Sequence, residues 1–160
     1  MTGFFKTIAK IFNFFLILVV SYLTPDQNFS LEKKKFFSTK YSEANLRNGP
    51  GTNHLILYKI LHKGYPVLIM EEFENWKRIT DYKNRSGWIA NSQLSSSSYG
   101  IVIENNSVLF KFPTIQSKQI ALLQKDVIFG IATCKPAWCK IKVNDLTGWI
   151  ETKRFWGSKH

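Results

Sequence analysis

Trp76-Lys77-Arg78-Ile79, continued by Gly87-Trp88-Ile89, is written a second time as Trp138-Cys139-Lys140-Ile141, continued by Gly148-Trp149-Ile150. Four of the five tryptophans lie in these two copies. Working outward, a lysine ahead of an apolar run recurs upstream of each, Lys63 with Val67-Leu68-Ile69 and Lys125 with Val127-Ile128-Phe129. Further back, Leu46 through Pro50 matches Leu109 through Pro113. A period of about sixty residues exceeds the 20 to 50 of a solenoid unit, so the chain reads as two copies of one small domain.

Within the first copy, which begins near Tyr41, the run Asn45-Leu46-Arg47-Asn48-Gly49-Pro50-Gly51 sets one apolar side chain before a turn rich in Asn, Gly and Pro. Gly and Asn tolerate positive φ and Pro fixes it near −65°, which is what a tight turn requires. Val67 to Met70 is short and continuously apolar, as a buried strand is. Glu71 to Asn75 reads as a charged turn. Trp76 to Tyr82 mostly alternates, as a strand with one solvated face does, and Lys83 to Ser86 turns the chain back onto Gly87-Trp88-Ile89. Short strands, turn signals every eight to twelve residues and no sustained helical stripe predict an all-β fold of two tandem small barrels. Leu46 and Leu109 are expected in the cores. Trp88 and Trp149 are expected there too, beside glycines that permit close approach.

The ends read differently. Lys6 and Lys10 precede an apolar run from Ile11 to Leu23, too short for the roughly 20 residues of a membrane span and suited to an export signal. Residues 1–24 are therefore expected to be a signal peptide or an uncleaved anchor helix. Either places the rest in the periplasm or outside the cell, with an inner-membrane anchor facing the periplasm as the alternative. Residues 25–40 are polar and read as a linker, in which Lys33-Lys34-Lys35 beside Phe36-Phe37 allows weak membrane-surface contact. The two units are expected at 41–95 and 99–157, with Ser95 to Ser98 as the joint.

The net charge of +11 invites a nucleic-acid reading, but its distribution does not follow it. Residues 41–94 hold seven Lys and Arg against five acids, and residues 99–157 hold eight against four. A duplex binder gathers its cations on one face or helix, so no specific nucleic-acid partner is expected.

Chemistry is sparse. There is no P-loop, no G-x-G-x-x-G after a strand, no H-E-x-x-H and no G-x-S-x-G, so no catalytic residues, metal or cofactor are expected. Cys134 and Cys139 flank Lys135-Pro136-Ala137-Trp138, and in so short a hairpin they would face each other within disulfide range. A bridge suits an exported chain with an even cysteine count; a reduced buried pair and a metal or redox site are the other readings. Trp76 and Trp138 open strands after a loop and are candidate groove walls. Arg47, Arg78 and Tyr82 are candidates for the rim of the same groove.

The order Asn45-Leu46-Arg47, Gly49-Pro50-Gly51, Lys63-Gly64, Trp76 and Gly87-Trp88-Ile89 resembles the bacterial SH3-like (SH3b) domain. Leu109, Pro113, Lys125, Trp138 and Gly148-Trp149-Ile150 resemble a degenerate second copy, in which Lys111-Phe112-Pro113-Thr114 replaces the glycines. The whole, closing on Phe155-Trp156-Gly157, resembles small exported tandem proteins of alphaproteobacteria. The resemblance implies a non-enzymatic module that binds peptidoglycan, a cell-wall peptide or an envelope protein. Rival readings are an interaction scaffold in the envelope, an accessory to a secreted hydrolase, and an RNA-binding small barrel.

Overall fold

Fourteen short strands and two 3-10 turns make up the described part of the chain, residues 35–158 of a computed structural model. In the first repeat the strands are β1 (Phe36–Thr39), β2 (Ala44–Arg47), β3 (Ile56–Ile60), β4 (Pro66–Phe73), β5 (Trp76–Thr80), β6 (Ser86–Ala90) and β7 (Leu94–Ser95). The second repeat follows with β8 (Tyr99–Val102), β9 (Ser107–Phe110), β10 (Gln119–Leu123), β11 (Ile128–Lys135), β12 (Trp138–Val143), β13 (Leu146–Glu151) and β14 (Phe155–Gly157). Each set forms its own antiparallel sheet, in the orders β3-β2-β6-β5-β4-β1-β7 and β10-β9-β13-β12-β11-β8-β14. The second order is the first with every strand moved on by seven, so the duplication read in the sequence is a duplication of topology. The expectation for residues 1–24 lies outside the described residues.

Each sheet encloses a core. Leu46, Val67, Ile79 and Ile89 fill the first, and Leu109, Phe129, Ile141 and Ile150 the second. Gly87 and Gly148 hold equivalent places: a Cβ on Gly87 would lie 2.7 Å from Leu46 Cγ, and one on Gly148 2.7 Å from the Phe110 carbonyl oxygen. Only glycine lets β6 and β13 cross β2 and β9 this closely.

The first sheet starts earlier than the sequence suggests. Phe36–Thr39, read as linker, pairs with β4 and β7 as a full strand. The apolar Phe37 packs against the core only half-buried, and the fully buried residues are the polar Ser38 and Thr39. Both are buried and both are satisfied, as buried polar groups must be. Thr39 donates to the His62 carbonyl at 2.5 Å and accepts from the Tyr65 amide at 2.9 Å, while Ser38 donates to the Ser97 carbonyl at 3.0 Å. The serine joint is held from the other side as well, where the Ser98 carbonyl accepts from the Ile131 amide at 2.9 Å.

The two barrels pack directly. Ile101 of β8 belongs to the first core, and Ile128 and Trp156 pack against it. Phe36 and Trp156 meet edge to face at 4.8 Å. A Cβ on Gly64 would strike the Tyr99 ring at 2.5 Å, so that glycine, at φ 76°, is fixed both by its left-handed backbone and by its neighbour.

Candidate functional site

Because successive strand residues point to opposite faces, Gly87 and Ile89 facing the core puts Trp88 between them on the outer face. The same holds for Trp149 between Gly148 and Ile150. Both tryptophans are half-buried, whereas Ile89 and Ile150 have no exposed surface. The expectation of core tryptophans is corrected by this alternation, while Leu46 and Leu109 do lie inside.

Residues directly opposite each other in a ladder share a face, so register shows which side chains meet. Arg47 pairs with Trp88, Trp88 with Arg78, and Arg78 with Glu71, giving one row across β2, β6, β5 and β4. The next row is Ala90, Trp76 and Phe73. Phe73 stands half exposed at 49% and sets its ring edge-on to Trp88, 6.5 Å between centroids. Phe73, Trp76 and Trp88 thus form an aromatic strip on the outside of the first barrel, with Arg78 beside it.

Arg78 is exposed and only loosely paired, 3.4 Å from Glu71. Arg47 has another task. Its guanidinium donates to the Thr52 carbonyl at 3.0 Å and the His54 carbonyl at 2.6 Å, tying down the loop from β2 to β3. That loop closes on itself further where the His54 ring packs over Gly49, within 2.5 Å of where a Cβ would stand.

Tyr82 does not join the strip. It follows β5 at the end opposite Trp76 and turns to the second barrel, where its hydroxyl donates to the Asp126 carboxylate and Lys83 Nζ lies 3.6 Å from the same group. Burial first, and then this bond, raise the Tyr82 hydroxyl above its ordinary pKa. The hydrogen bond from Tyr82 in turn holds the Asp126 carboxyl below its ordinary value. Asp126 adopts φ 71° at the turn where the first repeat has Gly64.

The second barrel repeats the strip in altered form. Trp138 sits opposite Lys135 and Glu151, and Lys140 opposite Trp149. Phe110 takes the place of Arg47 opposite Trp149, and meets Trp138 edge to face at 5.5 Å. Phe110 is 6% exposed and Lys135 Nζ lies 5.4 Å over the Trp149 ring, so this face is closed where the first is open.

Cys134 and Cys139 are joined as a disulfide across the β11–β12 ladder, as the hairpin geometry predicts. Among the described residues no three His, Cys, Asp or Glu side chains gather closely enough to hold a metal ion. Sequence reading missed Phe73, which lies in a stretch it took for a charged turn. The signal was the equal spacing of Phe73 to Trp76 and Lys135 to Trp138, which marks two-residue turns in both copies.

No curated protein matches the chain. Solved structures similar to it include NlpC2 from Trichomonas vaginalis, at 12% identity and a TM-score of 0.37 over 79% of this chain and 49% of that one. Another is an NlpC/P60 family protein from Bacillus cereus, at 10% identity and a TM-score of 0.35 over 78% of this chain and 56% of that one. The chain thus spans about half the length of these proteins. The sequence pattern of the bacterial SH3 domain matches twice, at residues 40–96 and 104–157, in the same two places where the sheets repeat. The chain belongs to the bacterial SH3 domain family and carries two copies of that domain in tandem.

Proposed function

We propose that this protein is an exported, non-enzymatic binding module that holds a peptidoglycan or cell-wall peptide on the outer face of its first barrel. The observation that carries the reading is the strip of Phe73, Trp76 and Trp88 with Arg78 alongside. Phe73 is exposed and sets its ring edge-on to the half-buried Trp88, so the strip presents apolar ring area to solvent beside a cation. Aromatic strips on small barrels hold extended peptides through apolar contact, with the indole N–H as a polar handle and a nearby cation for acidic groups. Bacterial SH3 domains are cell-wall binding modules, and this chain carries two of them, which supports a wall partner. Export is supported by the disulfide, since such bridges persist in oxidising compartments.

The test is co-sedimentation of the purified chain with peptidoglycan sacculi, set beside affinity capture from detergent-solubilised envelope proteins. Retention by sacculi is the expected result. Capture of one envelope protein with no retention by sacculi would replace this reading with that of a protein-docking scaffold.

A further inference from the structure

The loop from β9 to β10 and its counterpart from β2 to β3 have the same length and the same closing bond. In the first barrel the Asn48 amide donates to the Leu55 carbonyl at 3.0 Å, and in the second the Lys111 amide donates to the Lys118 carbonyl at 2.9 Å. Inside the neck lie Gly49-Pro50-Gly51-Thr52-Asn53-His54 in one copy and Phe112-Pro113-Thr114-Ile115-Gln116-Ser117 in the other. On one frame, then, the second copy has Phe112 in place of Gly49, Ile115 in place of Thr52, and a lysine at each side of the neck. The first barrel closes its loop with none of these four side chains, so closure does not require them.

Nor do they serve packing. Phe112 is 58% exposed and Ile115 64%, and both lysines are exposed. The tip is held in one shape all the same. The Phe112 amide donates to Ser117 Oγ at 2.9 Å, the Thr114 amide to the Phe112 carbonyl at 2.8 Å, and the Ser117 amide to the Thr114 carbonyl at 3.1 Å. Lys111 and Lys118 meet through the bond that closes the neck, and Lys111 Nζ lies 5.6 Å over the Phe112 ring. No Asp or Glu occurs between Glu104 and Asp126, and within that stretch Ile120 and Leu122 of β10 are exposed as well. Single exposed apolar residues are ordinary, but several on one ordered, acid-free hairpin mark a contact surface.

We propose that the tip of the β9–β10 hairpin docks on an anionic lipid bilayer, with Phe112 and Ile115 entering the headgroup boundary and Lys111 and Lys118 meeting acidic headgroups. An apolar anchor with cations at its neck matches such a bilayer, where acyl chains lie beneath a layer of negative charge. A second copy of this chain matches it less well, because two acid-free, lysine-bearing hairpins would repel. The edge of β10 is also unsuited to adding a strand, since it bulges at Ile120, where Gln119 pairs with Phe110 and Ala121 with Leu109. The surface is separate from the aromatic strip and stands whether or not the strip binds wall material.

The experiment sets a reporter at the tip. The full chain carrying Phe112→Trp is mixed with vesicles of phosphatidylcholine alone, or of phosphatidylcholine with phosphatidylglycerol, both with brominated acyl chains. Fluorescence quenching in excess of that of the native chain, which has the same five other tryptophans, reports contact between position 112 and the acyl chains. Excess quenching is expected with the anionic vesicles only, and added salt should weaken it by screening. With Lys111→Gln/Lys118→Gln as well, the apparent affinity should fall about tenfold or more. No excess quenching with the anionic vesicles, equal quenching with the neutral ones, or an affinity unchanged by the lysine substitutions would each overturn the assignment. Phe112→Gly/Ile115→Thr copies the first barrel's tip and is expected to fold as the native chain does. A lipid-free dimer of the native chain in sedimentation that this variant abolishes would replace the bilayer with a contact between copies.

Discussion

Lys77 Nζ lies 2.7 Å from a Glu72 carboxylate oxygen, and this ion pair occupies in the first barrel the ladder position that the Cys134–Cys139 disulfide occupies in the second. In both copies the pair is the one next to the hairpin turn, after Phe73 opposite Trp76 and Lys135 opposite Trp138. One backbone frame therefore accepts an ionic or a covalent clasp. The hydrogen bond from Lys77, and then that from Lys35, hold the Glu72 carboxyl below its ordinary value.

The equivalence is testable by transfer. A Glu72→Cys/Lys77→Cys variant is expected to form a second bridge on oxidation, seen as a faster band on non-reducing gels of the denatured protein and as loss of two titratable thiols. Conversely, Cys134→Ser/Cys139→Ser is expected to lower stability by about 2 kcal/mol, the loop-closure value for so short a ring. Urea unfolding with and without reductant measures it, and identical midpoints would show that the bridge does not contribute.

Asp81 is expected to be the most sensitive polar residue in the first barrel. It is 3% exposed. It accepts from the Lys83 and Arg85 amides at 2.9 Å, from Arg85 Nε at 2.8 Å and from the Tyr65 hydroxyl at 3.0 Å. The second barrel puts Val127 and Val143 where Tyr65 and Asp81 stand, so the sheet does not itself need the network. Asp81→Ala leaves those donors unmatched and strands Arg85, which costs about 3 kcal/mol by analogy with other broken buried pairs. A loss below 1 kcal/mol in urea unfolding would contradict this.

Acid should loosen the junction between the barrels. Asp126 has its carboxyl depressed by the hydrogen bond from Tyr82, with the Lys83 charge adding to it. A depressed acid contributes stability that is present above the unfolded pKa of about 3.9 and is lost as pH falls through the lower folded value. Asp126→Asn should therefore be less stable than the native chain at neutral pH, with the gap narrowing as pH falls below about 4. Thermal unfolding across pH 3 to 8 tests this, and a gap as wide at the acid end as at neutral pH would refute it.

Alkali acts on the opposite group. Burial first, and then the Asp81 charge, push the Tyr65 hydroxyl far above the usual phenol range. A raised pKa contributes stability that is full below about pH 10 and declines as pH rises toward the folded value. Tyr65→Phe removes that dependence, so its unfolding midpoint should fall less than the native one between pH 9 and 11; parallel curves would count against the network.

How much of this could be read beforehand follows from which residues carry a local signal. The doubled Trp and Gly-Trp-Ile landmarks sit on strands whose glycines are demanded by close backbone approach, and they gave the duplication and the sheet class. Cys134 and Cys139 face each other because a two-residue turn leaves them no other register, and spacing alone reports that. Phe36–Thr39 was lost because its buried residues are hydroxyls satisfied by distant carbonyls, a long-range fact. Trp88 and Trp149 were misplaced because a large apolar residue was set above the period-2 alternation that Gly87 and Ile89 impose. Tyr82 lies on the same strand run as Trp76 but past its end, where the loop and not the pleat decides its direction.

The most direct measurement is the binding isotherm of purified sacculi for the native chain, for Trp76→Ala and for Tyr82→Phe. The account predicts that Trp76→Ala weakens retention about tenfold or more, as loss of a central aromatic anchor does, while Tyr82→Phe retains like the native chain. Equal retention of the native and Trp76→Ala chains, or a loss confined to Tyr82→Phe, would contradict it.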